Sequence, residues 1–166
     1  RAPAGPLEIM AEITLWNNVF WGTGQRHPKI SSNVYVHAMD NLVAFRPYPY
    51  PGGGHGASYG MSALNGAVLL AEGNVFIRMN DGAAASGAHM LPEISTLADH
   101  DRDVHGQRPG FVRARGNTTS GASHIIERRP EFVAPPPYTP PASAPAAGVR
   151  TTAACVIARM AGDPCR

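Results

Sequence analysis

Residues 73–82 read GNVFIRMNDG, and residues 32–41 read SNVYVHAMDN. Each phrase opens on a small polar pair, runs through β-branched and aromatic residues, and closes on turn formers. That is a strand entering a tight turn. In the earlier phrase Val34 and Val36 point one way and Tyr35 the other, as the two-residue period of a strand requires. A phrase that returns points to a repeat, so the fold follows from what the repeat builds.

A third stretch, TSGASHIIERRPEFVAP at 119–135, joins the pair when Asn33, Asn74 and Ser123 are placed in register. The next residues are then VYV, VFI and HII. Further on, Asp40, Asp81 and Pro130 stand at a turn position, and Leu42, Ala83 and Phe132 at an apolar one. Three copies of strand, turn and strand are expected. Upstream, EITLWNNVFWG suggests two more strands joined by a tight hairpin at Asn17-Asn18, since asparagine tolerates positive φ.

Composition agrees with an all-β, turn-rich chain of 166 residues, 43% hydrophobic and only 16% charged, with 18 Gly and 16 Pro. A net charge of +2 gives no clustered basic face, so a nucleic-acid partner is not expected. The longest apolar run, Gly66–Ala71, is far short of the ~18 residues of a membrane span, and no leader peptide is recognisable. The expected organisation is a β domain over 1–134 with the N-terminal hairpin, a proline-rich strap over 135–149, and a short helical tail over 150–166. Cys155 and Cys165 in that tail could pair, bind metal or stay free.

The phrase GNVFIRMNDGAAASG resembles the repeat of the PAAR family, the spike-tip proteins of type VI secretion systems and contractile phage tails. The His55-Gly56 and His105-Gly106 pairs are similar to the family's His-Gly loops, and Pro130 falls where its proline falls. The tetrapeptide that names the family is replaced by DNLV, DGAA and PEFV. The resemblance implies a small cone of short β-hairpins with pseudo-threefold repeats. It implies one copy capping a trimeric β-helical spike and piercing a target envelope, at a virion tail tip or after export by an injection apparatus. It also implies no enzymatic activity, and a structural Zn or Fe ion at the apex.

Seven histidines are a rich supply for such an ion. His55, His100 and His105 lie in loops that would meet at the apex, with His27 as a fourth ligand. Imidazole suits both metals, and metal binding would add to folding free energy. His37 and His124 lie in or beside strands and read as structural.

Other motifs are weaker. Asp99–Asp103 lacks the glycine and glutamate of a calcium loop. Gly56–Gly60 matches G-x-S-x-G around Ser58, but the preceding proline-glycine run cannot be the strand that elbow needs. Two alternatives stand beside the tip. One is a capsid-decorating or glycan-binding β module, which an exposed Trp16 or Trp21 would favour. The other is a small secreted metal-dependent toxin or hydrolase.

Overall fold

The computed structural model describes residues 8–24, 26–45, 48–49, 55–56, 59–78, 94–96, 108–119, 125–140 and 155. At 45, 48–49, 55–56 and 78 it describes the backbone alone. The chain is all-β, as expected. Its strands are β1 (Ala11–Trp16), β2 (Val19–Thr23), β3 (Lys29–Ser31), β4 (Val34–Met39), β5 (Leu42–Phe45), β6 (Tyr48–Pro49) and β7 (His55–Gly56). There follow β8 (Met61–Leu64), β9 (Val68–Glu72), β10 (Val75–Arg78), β11 (Ile94–Ser95), β12 (Phe111–Arg115) and β13 (Thr118–Thr119). Among the described residues no helix is long and apolar enough to cross a membrane.

Strand pairing corrects the hairpin cone. β1, β4, β9 and β12 form one sheet, β2, β5, β10 and β13 a second, and β3, β8 and β11 a third. All their pairings are parallel. Each strand bonds its counterpart one turn of chain later, so the molecule is a three-sided parallel β-solenoid. The antiparallel pair β6–β7 is a hairpin on the loop between β5 and β8. The expected hairpin at Asn17-Asn18 is instead a corner: β1 and β2 do not pair, and each bonds the coil that follows.

The repeat is real, but its register differs from the expected one. Asn74 aligns with Asn41 at the corner between the first and second sheets, not with Asn33, which precedes the first sheet. Four such corners stack, at Asn17-Asn18, Asp40-Asn41, Gly73-Asn74 and Gly116-Asn117. The leading residues have φ of 55°, 52°, 65° and 61°. Asn, Asp and Gly are the residues that adopt this left-handed conformation at low cost. Side-chain room sets the third choice: a Cβ on Gly73 would lie 2.5 Å from Asp40 Oδ1.

The second residue of each corner turns inward and forms a ladder. Asn41 Oδ1 accepts from the backbone N–H and the Nδ2 of Asn18 at 2.9 and 3.0 Å. Asn74 Oδ1 accepts the same pair from Asn41 at 3.0 and 2.9 Å. Asn117 Oδ1 does so from Asn74, at 2.9 Å each. Each Nδ2 also reaches back one coil: Asn41 to Leu15 O, Asn74 to Ala38 O, and Asn117 to Ala71 O, all at 2.9 Å. Buried amides are tolerable only when satisfied to this degree.

The core is built of columns. Leu15, Ala38, Ala71 and Ala114 stack inside the first sheet, as do Ile13, Val36, Leu69 and Val112. Phe20, Val43 and Phe76 stack inside the second. Ile30 and Ala63, with Met61 and Ile94, line the third. Alanine in each coil after the first (Ala38, Ala71, Ala114) keeps the tube narrow. Gly110 serves the same end, because a Cβ there would lie 2.6 Å from Ala67 O.

The proline-rich strap, described as far as Pro140, lies outside the first sheet. Val133 packs with Tyr35, Val68, Leu70 and Phe111 on that sheet's outer face. Tyr35 donates its hydroxyl to Ala134 O at 2.9 Å. His37, structural as expected, accepts at Nδ1 from the Tyr138 hydroxyl at 2.8 Å and donates from Nε2 to Glu72 at 3.0 Å. Tyr138 in turn meets Thr14 Oγ1 at 2.6 Å. Of the expected helical tail, Cys155 alone is described, and it is disulfide-bonded.

Candidate functional site

Non-glycine residues with positive φ mark most corners of the solenoid, and nearly all are Asn, Asp or Ser. Two arginines break that rule. Arg129, at φ 48°, has its guanidinium 4.2 Å from the Phe132 ring centre, so a packing contact accounts for it. Arg26, at φ 68°, is exposed and has no ion-pair partner among the described residues. For a bulky side chain this conformation costs about 1–3 kcal/mol, and such strain concentrates at functional sites.

The chain on either side fixes Arg26 in place. His27 is 2% exposed. Its backbone N–H donates to Gly60 O at 3.1 Å, and its Nδ1 donates to Tyr59 O at 3.0 Å. Thr23 Oγ1 holds Nε2, and Phe20 meets the ring edge-on. Burial pushes the His27 pKa down, against the smaller upward pull of the Tyr59 and Gly60 bonds. The neutral ring is therefore an anchor. The peptide from His27 to Pro28 is cis, and β3 begins at the next residue.

β3 opens the third sheet, whose outer face continues the site. Ile30 points into the core, so Lys29 points out. Lys29 is in register with Ser62 of β8, and Ser62 with Ser95 of β11 through their strand pairing. Coils stack at about 4.8 Å, so Lys29, Ser62 and Ser95 form an outward column at that spacing. The hydroxyls of Ser62 and Ser95 are buried yet have no hydrogen-bond partner. Arg26 and Lys29 thus stand at the accessible start of the third sheet, and Ser62 and Ser95 continue the Lys29 column as buried residues.

Of the expected metal ligands, His27 has both ring nitrogens engaged, by Tyr59 and Thr23. His55 lies in β7, where its backbone alone is described, and His100 and His105 fall outside the described residues. Among the described residues no three His, Cys, Asp or Glu side chains gather as a metal site. Ser58 is also outside them. Trp16 is 44% exposed on the first sheet, the feature expected of a glycan binder. Arg26 gave no sequence signal, because its distinction is a backbone angle. The ladder did have one: A-M-D-N, A-E-G-N and A-R-G-N precede β5, β10 and β13.

Family models, curated proteins and solved structures were all compared with the chain, and none matched.

Proposed function

We propose that the chain is a carbohydrate-binding β-solenoid that grips an extended acidic polysaccharide, a uronate polymer, at Arg26 and Lys29, where its third sheet begins. The observation that carries this reading is Arg26, exposed, anchored by buried His27, and held at φ 68°. A guanidinium is the natural partner of a carboxylate, since its planar fork donates two parallel hydrogen bonds. Lys29 supplies a second cation three residues on, at the start of β3. Solenoid faces are long and regular, which fits a polymeric ligand. The modest net charge of +2 disfavours a nucleic-acid backbone. Affinity electrophoresis in gels carrying polyuronate or a neutral glucan tests it. Retardation by the polyuronate alone, lost in Arg26→Ala, supports the reading, and equal mobility in both gels refutes it.

The spike-tip reading, with its Zn or Fe ion, trimeric partner and tail-tip location, draws on the resemblance of GNVFIRMNDGAAASG and the His-Gly pairs and on a threefold register at Asn33, Asn74 and Ser123; the coils follow a different register, with Asn74 level with Asn41.

A further inference from the structure

Two aromatic rings are exposed on the outer face of the first sheet, and the polar tip of each is held by a buried partner. Leu15 belongs to a core column, so Trp16 points outward. Its indole N–H donates to Asp40, a buried residue on the next coil. Tyr138 comes from the strap and is 37% exposed. Its hydroxyl lies 2.8 Å from Nδ1 of His37, which has no exposed surface, and 2.6 Å from Thr14 Oγ1. Thr14 and Trp16 alternate along β1, so they share a face about 7 Å apart. The Tyr138 hydroxyl therefore sits one outward position from Trp16.

The column that begins with Trp16 supplies a floor. Trp16, Met39, Glu72 and Arg115 follow one another in register, each one coil or about 4.8 Å further on. Met39 also points outward, yet it is 4% exposed. The bond to Asp40 draws the indole towards that coil, which accounts for the cover over Met39 and leaves the other ring face to solvent. Glu72 is held by His37 Nε2 at 3.0 Å and more loosely by Arg115 at 3.8 Å. The Glu72 side chain is still partly exposed, and that of Arg115 more so.

An anchored indole with a free face, followed along the column by a fixed carboxylate and a guanidinium, matches the chemistry of a sugar. A pyranose presents an apolar C–H face that stacks on an aromatic ring. Its hydroxyls donate to a carboxylate and accept from a guanidinium. We infer that Trp16, Tyr138, Glu72 and Arg115 form a second sugar subsite, which takes an uncharged oligosaccharide of two or three pyranose rings lying along the solenoid axis. The column spans three coil spacings, about 14 Å, which sets that length. The opposed charges of Glu72 and Arg115 cancel, so the subsite has no preference for an acidic chain. A lipid surface would have to strip water from both charges. Both rings are fixed before a ligand arrives, so little side-chain freedom is lost on binding. The expected Kd is on the order of 1 mM, too weak to slow the chain in a dilute gel of neutral glucan. The subsite is separate from the polyuronate grip, because Arg26 lies at the start of the third sheet.

The chain holds two tryptophans, so a proton–nitrogen correlation spectrum carries two indole N–H signals. Titration with cellotriose should shift the Trp16 signal along a saturating curve and leave the Trp21 signal in place. Sorbitol has hydroxyls and no ring face, so it should shift neither. Trp16→Ala should abolish magnetisation transfer from the protein to the trisaccharide, Trp16→Phe should keep part of it, and Tyr138→Ala should weaken binding at least threefold. Polyuronate binding should survive all three changes. A Trp16 signal unmoved by cellotriose at about 20 mM overturns the inference. So does an equal shift with sorbitol, or a shift produced by phosphatidylcholine vesicles and by no saccharide. A saturating cellotriose shift in a chain that binds no polyuronate would uphold this subsite and overturn the Arg26 grip alone.

Discussion

Asn41 and Asn74 are joined twice: Asn74 Oδ1 accepts both the backbone N–H and the Nδ2 of Asn41, at 3.0 and 2.9 Å. The contact crosses from one coil to the next with no exposed surface on either residue. Buried amides in such a chain are stabilising only as a set, because each leaves its neighbours unsatisfied when it is removed.

Asn74→Ala therefore strands the Asn41 N–H and the Ala38 carbonyl inside the tube. The expected loss is about 3 kcal/mol, from two buried groups left without partners. Asn18→Ala, at the exposed end of the ladder, should cost roughly 1 kcal/mol or less. Urea unfolding of the two variants checks the ranking, and equal losses would count against the ladder as a stabilising element.

Tyr138 fastens the strap to two coils through His37 and Thr14. Tyr138→Phe keeps the ring and removes both bonds. Stability should fall by about 1 kcal/mol, and proteolysis in the segment 134–140 should quicken several-fold. An unchanged cleavage rate would mean that packing of Val133 and Phe132 alone holds the strap.

Two buried groups titrate in opposite senses. The His27 pKa is lowered by burial, so the unfolded chain gains a proton first as pH falls. Its contribution is complete above the unfolded value of about 6.5 and is lost progressively below it. His27→Gln should flatten the decline of stability between about pH 6.5 and 5. A slope unchanged from the parent would contradict the neutral-anchor role.

The Asp40 pKa is raised, chiefly by burial, with Glu72 adding to the rise and Trp16 and His37 opposing it. Asp40 Oδ2 is buried without a partner. A raised acid is stabilising while protonated and loses that contribution as pH climbs through its folded pKa. Asp40→Asn keeps the shape and the tolerance for φ 52°. It should raise stability near pH 7 by about 0.5–1 kcal/mol, with the gain shrinking towards pH 4. Chemical denaturation at the two pH values checks this.

Much of the fold was legible in the residues. Alternation marks β4, β-branched and aromatic residues mark β10, and the pair Asn17-Asn18 reads as a tight turn. The pairing partners were not. Ser32-Asn33 and Gly73-Asn74 look alike because both are corners that ask for left-handed residues, with φ of 57° and 41° in the first pair. They sit at different corners of the triangle, so aligning them shifts the repeat onto the wrong sheet. Local sequence reports a turn, whereas the angle through which it sends the chain depends on contacts one coil away. The candidate site was hidden for the same reason. His27 drew notice as a possible ligand, and its neighbour Arg26 gained meaning through a backbone angle.

The most direct test of the sugar-binding claim is Arg26→Gly, measured for stability and for polyuronate binding on the same preparation. Glycine adopts φ 68° freely, so relief of strain should raise stability by about 1 kcal/mol, less glycine's own entropy cost. Calorimetric titration should at the same time show polyuronate affinity reduced at least tenfold. Retained affinity would contradict the assignment of Arg26 as the carboxylate-gripping residue, whatever happened to the Tm.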